Sequence, residues 1–155
     1  MVQDKNYRRV GEGLSGLPTY TGEIVVRTRG ENDVVDITDK VESYVARSGV
    51  KNGVAHLYVI GSTAALTTME YEPGLIEDIR NAMERIAPRN AYYKHHERWG
   101  DDNGHSHIRA SIIGPSLCIP IREGSLTTGT WQQLILLELD TRARERRILV
   151  TVIGD

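Results

Sequence analysis

The C-terminal half of the chain runs strand after strand with little between, and this restricts the architectures open to it. Ser116 to Ile121, Thr130 to Leu139 and Arg147 to Ile153 are rich in Ile, Leu and Val, and the turns between them are as tight as Glu123-Gly124-Ser125 and Asp140 to Arg144. Strands joined by such short turns lie antiparallel, because parallel neighbours need a crossover of about a dozen residues or more. The long middle strand is apolar on both faces, with Ile135, Leu137 and Leu139 against Leu134 and Leu136.

The N-terminal half adds strands and two helices. Glu23 to Arg29 alternates as a strand closed by the turn Arg29 to Asp33, and Val34 to Ile37 is a short strand or helix lead-in. A helix follows with Thr38 as its N-cap, Asp39 near its positive end, an apolar stripe of Val41, Tyr44 and Val45, and Gly49 as a left-handed stop. Val54 to Ile60 is apolar on both faces, which predicts an interior strand with His56 packed locally. Gly61-Ser62-Thr63 is either an anion-greeting turn of N–H groups and hydroxyls or a plain turn, and Ala64 to Met69 follows it. From Pro73, residues Leu75, Ile76, Ile79, Ala82, Met83 and Ile86 keep a helical period until Pro88, with Asp78 one position off the stripe. The sum is six or seven strands and two helices: an α+β domain with a two-layered, mainly antiparallel, β-sandwich-like core.

A chain of 155 residues forms one domain and buries roughly 70 % of its unfolded surface, so neither disulfides nor a structural metal is needed for folding. Residues 1–20 are a polar, Gly-rich lead-in, loosely ordered or partner-dependent, and 21–155 form the single domain. Gly11 to Gly16 matches G-x-G-x-x-G only formally, since a charged stretch precedes it and Pro18 follows. The net charge of -2 argues against nucleic acid or an acidic membrane as partner. The single cysteine, Cys118, excludes an internal disulfide and a four-cysteine zinc site, and its setting in SLCIP predicts a small buried hydrophobe. The longest apolar run, Leu134 to Leu137, is far too short to span a membrane, and no signal peptide is visible, so a soluble, cytoplasmic protein is expected.

The chemistry concentrates between His95 and His107, where four of the five histidines lie within thirteen residues beside Glu97, Asp101 and Asp102. Gly100 and Gly104 interrupt the run, which predicts a polar loop feeding a strand. From 105 onward the residues alternate: His105, His107, Arg109 and Ser111 to one face, Ile108, Ala110 and Ile112 to the other. As a strand this would space two imidazoles and a guanidinium about 7 Å apart along one polar face.

His95 or His96, Asp101 or Asp102, and His107 with or without His105 would suit a divalent ion such as Zn²⁺ or Mg²⁺. A hydrated surface loop is the plain alternative. His96-Glu97 begins like H-E-x-x-H, but position 100 is glycine, and neither a nucleophile elbow nor a Walker A sequence is present. Arg109 suits a phosphate or carboxylate, or is simply solvated. Trp131-Gln132 could line a pocket, the indole as wall and the amide as orienting donor, or could be core and strand cap. Arg142, Arg144, Arg146 and Arg147 alternate beside Glu138 and Asp140, as a salt-bridged surface or subunit contact would.

Four segments, GSTAALTTMEYEPGLIEDI (61–79), YYKHHERWGDDNGHSHIRASIIGPS (92–116), IPIREGSLTTGTWQQLILLELD (119–140) and RRILVTVIGD (146–155), resemble the YjbQ family in order and spacing. The resemblance spans about residues 20 to 155 and implies an α+β fold built on a β-sandwich and assembled as a homotrimer. Some members are described as secondary thiamine-phosphate synthases, which join a pyrimidine diphosphate to a thiazole phosphate with loss of pyrophosphate. His95, Asn103 and His107 match the family's polar loop, and Glu70, Asp78, Trp131 and Gln132 its other characteristic positions. Many members carry His-Thr or His-Ser where this chain has Gly61-Ser62, so a third imidazole would have to come from His105 or His96. On this reading His95, His107, Asp102 and His105 are candidate metal ligands, and His107, Glu70 and Asp78 candidate catalytic groups. Arg109, Asn103, Trp131 and Gln132 are candidate contacts to a small phosphorylated substrate. The alternative is a non-catalytic trimeric protein that binds a phosphorylated ligand or metal through the same cluster.

Overall fold

The computed structural model describes residues 2–10 and 16–155. Two antiparallel sheets face each other. The larger has six strands in the order β1-β2-β9-β4-β6-β7, comprising β1 (Val2–Val10), β2 (Thr19–Arg27), β9 (Glu145–Gly154), β4 (Gly53–Ile60), β6 (Ser116–Arg122) and β7 (Ser125–Leu126). The smaller has three, β3 (Val34–Asp36), β8 (Gln133–Glu138) and β5 (Ala64–Met69), with β8 central. The expected α+β class with an antiparallel, two-layered core is the observed one.

Four helices occur among the described residues rather than two: α1 (Thr38–Ser48), α2 (Pro73–Ile86), α3 (Lys94–Trp99) and α4 (Gly104–Ile113). The inner faces of the two sheets and α1 form one apolar core, including Ile24, Val41, Leu57, Leu66, Leu136 and Val150. The outer face of the small sheet needs its own cover, and α2 and α4 supply it by packing Leu75, Ile76, Ile79, Ala110 and Ile113 on Ala65, Ile135 and Leu137. This second layer explains why β8 is buried on both faces.

Several boundaries and environments differ from expectation for identifiable reasons. Residues 2–10, within the lead-in expected to be loosely ordered or partner-dependent, form an edge strand antiparallel to β2 with a register shift between Lys5 and Arg8, while the formal glycine motif at 11–16 lies almost entirely outside the described residues. In α1 the cap position falls on Ile37, and the Asp36 carboxylate accepts from both Thr38 N–H and Thr38 Oγ1 at 2.9 and 2.6 Å. Gly49 does close that helix with φ 71°. At α2, Glu72 accepts from the N–H groups of Gly74 and Leu75, at 2.7 and 2.9 Å. These two bonds to its charged form hold the carboxyl below its ordinary value.

β4 is interior, with β9 on one side and β6 on the other, but the face bearing His56, Tyr58 and Ile60 is exposed on the chain. Cys118 is exposed on the same sheet face, because Ile119 and Ile121 take the inward positions of β6. No helix among the described residues is long and apolar enough to cross a membrane.

Candidate functional site

The His-rich segment is two helices separated by a tight corner. Gly100 ends α3 in the left-handed conformation with φ 66°, and Gly104 opens α4, so the glycines punctuate helices where a loop was expected. The predicted strand over 105–113 is α4, and its faces regroup at helical spacing. His105 and Arg109, four residues apart, turn inward and are 1 % and 0 % exposed. Ile108 and Ile112, also four apart, face outward. With polar residues inside and isoleucines outside, the apolar stripe that normally marks a helix is inverted.

Arg109 thus lies on no open polar face. Its Nη1 lies 3.3 Å from Glu31 Oε1, its Nη2 donates to Glu84 at 2.7 Å, and Nε and Nη2 both donate to the Ala87 carbonyl. His105 Nε2 lies 2.7 Å from the same Glu31 oxygen. Arg89 donates to the other Glu31 oxygen at 2.7 Å. The group ties α4 to the end of α2 and to the turn before β3. The N–H of Arg89, and behind it the Arg109 guanidinium, hold the Glu84 carboxyl below its usual range against a desolvation that would raise it. As arranged here, Arg109 and His105 hold helices in place.

What the corner brings together is His95, Asp101, Asn103 and His107. The rings of His95 and His107 sit 4.4 Å apart between centroids, and His95 Nε2 is 3.6 Å from Asp101 Oδ1. Asn103 stands at the N-cap position of α4 without capping it, which frees its side chain for the cluster. With its amide nitrogen turned inward, that nitrogen is 3.0 and 3.2 Å from the Asp101 carboxylate oxygens and 3.2 Å from His95 Nε2. The close approach of α3 and α4 depends on Gly104, where a Cβ would lie 2.6 Å from Tyr93 Cβ and 3.5 Å from His95 Cβ. Burial, reinforced by neighbouring His95, pushes the His107 imidazole below its ordinary pKa, while Asp101 and Asp140 pull more weakly the other way. The shift favours the uncharged imidazole, which keeps one ring N–H to donate and one ring nitrogen to accept.

Behind this corner stand charged groups in direct pairs. Asp140 accepts from Arg144 Nε and Nη2 at 2.8 and 2.6 Å, from Thr141 N–H at 2.8 Å and from Thr63 Oγ1 at 3.2 Å. Burial alone would raise its pKa, but these donors, Arg144 foremost, hold it down to about 2. Glu138, fully buried, accepts from Arg146 Nε and Nη2 at 2.8 and 2.5 Å and from Thr28 Oγ1 at 2.9 Å. The sequence signal for these residues is two carboxylates at the end of a buried strand with arginines following at short range.

His107 opens onto a cleft of about 400 Å³ whose walls include Tyr58, Gly61, Ser62, Ala64, Ser111 and Pro115. The cleft lies between α4 and the β4–β5 turn. The remaining sequence candidates are elsewhere. Glu70 and Trp131-Gln132 sit where Met69 pairs with Gln133, whereas Thr63 and Asp140 flank the opposite end of the same strand pair, where Ala64 meets Glu138. Strand rise places those two ends about 17 Å apart. Trp131 is 71 % exposed, Glu70 and Asp78 are exposed, and Gln132 donates to Thr68 Oγ1 at 3.1 Å. Asp102, with φ 52°, is exposed at the corner. Among the described residues no three His, Cys, Asp or Glu side chains converge as a metal-holding group. His95 and His107 make a pair, and His105 is engaged with Glu31.

Comparison with known proteins places this geometry among relatives. A family described as UPF0047 protein YjbQ-like matches residues 22–155. A UPF0047 protein of Methanothermobacter thermautotrophicus is 37% identical over 138 residues, covering 89% of this chain and 94% of that protein. A crystal structure of a YbjQ-like protein of unknown function from Sulfolobus solfataricus superposes with a TM-score of 0.84 at 40% identity, covering 90% of this chain and 99% of that one. A hypothetical protein from Aeropyrum pernix superposes with a TM-score of 0.80 at 36% identity, covering 87% and 98%.

Proposed function

Because the chain belongs to the YjbQ-like UPF0047 family, we propose that it works on a small phosphorylated molecule in the cleft beside His107. The reaction proposed is that of the secondary thiamine-phosphate synthases its sequence resembles. A thiazole nitrogen bonds to the methylene carbon of a pyrimidine diphosphate, and the bond from that carbon to the diphosphate oxygen breaks. The bonding electrons leave with pyrophosphate, so the central demand is neutralisation of charge on the leaving group. The observation that carries this reading is a half-buried His107 lining a 400 Å³ cleft, with His95 against it and Asn103 and Asp101 beside His95.

A divalent cation there, Zn²⁺ rather than Mg²⁺, would have only His95 and His107 from the chain, so oxygens of the ligand would have to complete its shell. Such an ion, held by His95 and His107, would supply charge neutralisation at the diphosphate. His107 and His95 orient the phosphate end, and the cleft wall at Tyr58 receives the ring. The test measures pyrophosphate release by untagged protein supplied with both substrates. The His107→Ala variant, still folded, is expected to lose turnover, and unchanged turnover in it rejects the reading.

A second reading is a non-catalytic binder, favoured by the placement of Glu70 and Trp131 at the far end of the β5–β8 pair. Thermal stabilisation by thiamine precursors without any product would select it. Either way we propose a homotrimer, supported by an apolar patch on the outer face of the large sheet, where Tyr58, Ile60 and Leu149 are exposed. Light scattering is expected to give three times the chain mass, and a monomer mass overturns it.

A further inference from the structure

One wall of the cleft has no side chain, and a guanidinium lies directly behind it. Arg146 is the inward-facing residue near the start of β9, and its side chain is 7% exposed. Its Nε and Nη2 donate to Glu138, and Nη2 donates also to Thr63 Oγ1 at 2.8 Å and to the Thr63 carbonyl at 3.2 Å. Its remaining nitrogen, Nη1, donates to no acceptor among the described residues. A Cβ placed on Gly61 would come within 2.8 Å of that Nη1. Gly61 has φ 132°, a conformation open to glycine and strained for other residues, and it forms part of the cleft wall.

We propose that Arg146 Nη1 is the anion-holding point of the cleft, reached through the notch that Gly61 leaves. A terminal phosphate oxygen of the ligand accepts its hydrogen bond there, in the cleft that Ser62 and His107 also line. This deepens the proposed function and rests on the cleft beside His107 being the ligand site. The chemistry favours an oxyanion. A guanidinium engaged side-on by one carboxylate keeps its end-on donor for a second acceptor. Glu138 is matched by Arg146 and Asp140 by Arg144, so both carboxylates near the notch already have cationic partners. Anchoring through Nε and Nη2 fixes the donor before the ligand arrives, which removes most of the ordering cost of binding.

The experiment is calorimetric titration with inorganic pyrophosphate at fixed ionic strength, on the wild type and three variants. Gly61→Ala fills the notch and leaves the charge. Arg146→Lys keeps a cation for Glu138 and loses Nη1. His107→Ala alters the other side of the cleft. Gly61→Ala and Arg146→Lys are each expected to weaken binding about tenfold or more, the loss of one charge-assisted hydrogen bond. If His107→Ala weakens binding while the other two bind like the wild type, the cleft stands and the role of Arg146 is overturned. If none of the three weakens it, the cleft itself falls. A wild-type crystal soaked in tungstate needs no variant: the oxyanion over Gly61 supports the proposal, and an oxyanion only elsewhere overturns it.

Discussion

The two ends of the β5–β8 pair are built from comparable residue types and are organised in opposite ways. At the Ala64–Glu138 end, carboxylates are buried and each is gripped by an arginine, and the imidazole corner stands on top of them. At the Met69–Gln133 end, Glu70 and Trp131 project into solvent, beside neutral hydrogen bonds made by Gln132 and Gln133. A polar group fixed by buried pairs is pre-oriented for chemistry, whereas an exposed indole and carboxylate acquire a fixed position only when another surface covers them. The first end is assembled from one chain's own contacts and is the end proposed to bind the ligand. The second leaves its indole and carboxylate open to solvent.

Substitutions should separate the ends by size of effect. Glu138→Ala leaves Arg146 buried without its partner and is expected to cost about 3–5 kcal/mol in urea denaturation; a cost below about 1 kcal/mol would mean that this end is not held by its buried pairs. Gly104→Ala forces α3 from α4 and is expected to cost up to about 3 kcal/mol. By separating His95 from His107, it should also bring the His107 titration, followed by NMR, back up toward the ordinary imidazole value.

Acid sharpens the contrast further. Asp140 is held at about 2 in the fold against an ordinary 3.8, so its contribution of about 2 kcal/mol is complete above the unfolded value and disappears as pH falls through the folded one. Asp140→Asn should flatten that part of the stability profile, and an unchanged profile would remove Asp140 from the account. His107 acts in the same direction at higher pH. Its folded pKa lies below 6.5, so the unfolded chain takes up the proton first and stability declines as pH falls below that point. Trp131→Ala, at the open end, should shift stability by no more than about 0.5 kcal/mol.

How far the sequence exposed this contrast depends on burial. The antiparallel core was legible because β4, β8 and β9 carry clear apolar patterns, and α2 because its stripe is continuous. α4 was not, because His105 and Arg109 occupy inward positions and Ile108 and Ile112 outward ones, so alternation looked like a strand. That error placed His105, His107 and Arg109 on one face, whereas the helix sends His107 toward the cleft and the other two toward Glu31. The family pattern points to His95, Asn103 and His107 as its polar loop, and the structure brings the three side chains together. The Gly61 notch was invisible in the sequence, because it depends on Arg146, eighty-five residues away, arriving behind it.

The most direct test is a residue-resolved NMR titration of the wild-type protein with inorganic pyrophosphate. The largest shifts are expected on Gly61, Ser62 and His107, with Glu70, Trp131 and Gln132 unmoved. Shifts concentrated on Glu70, Trp131 and Gln132, with the His107 corner silent, would contradict the proposed site.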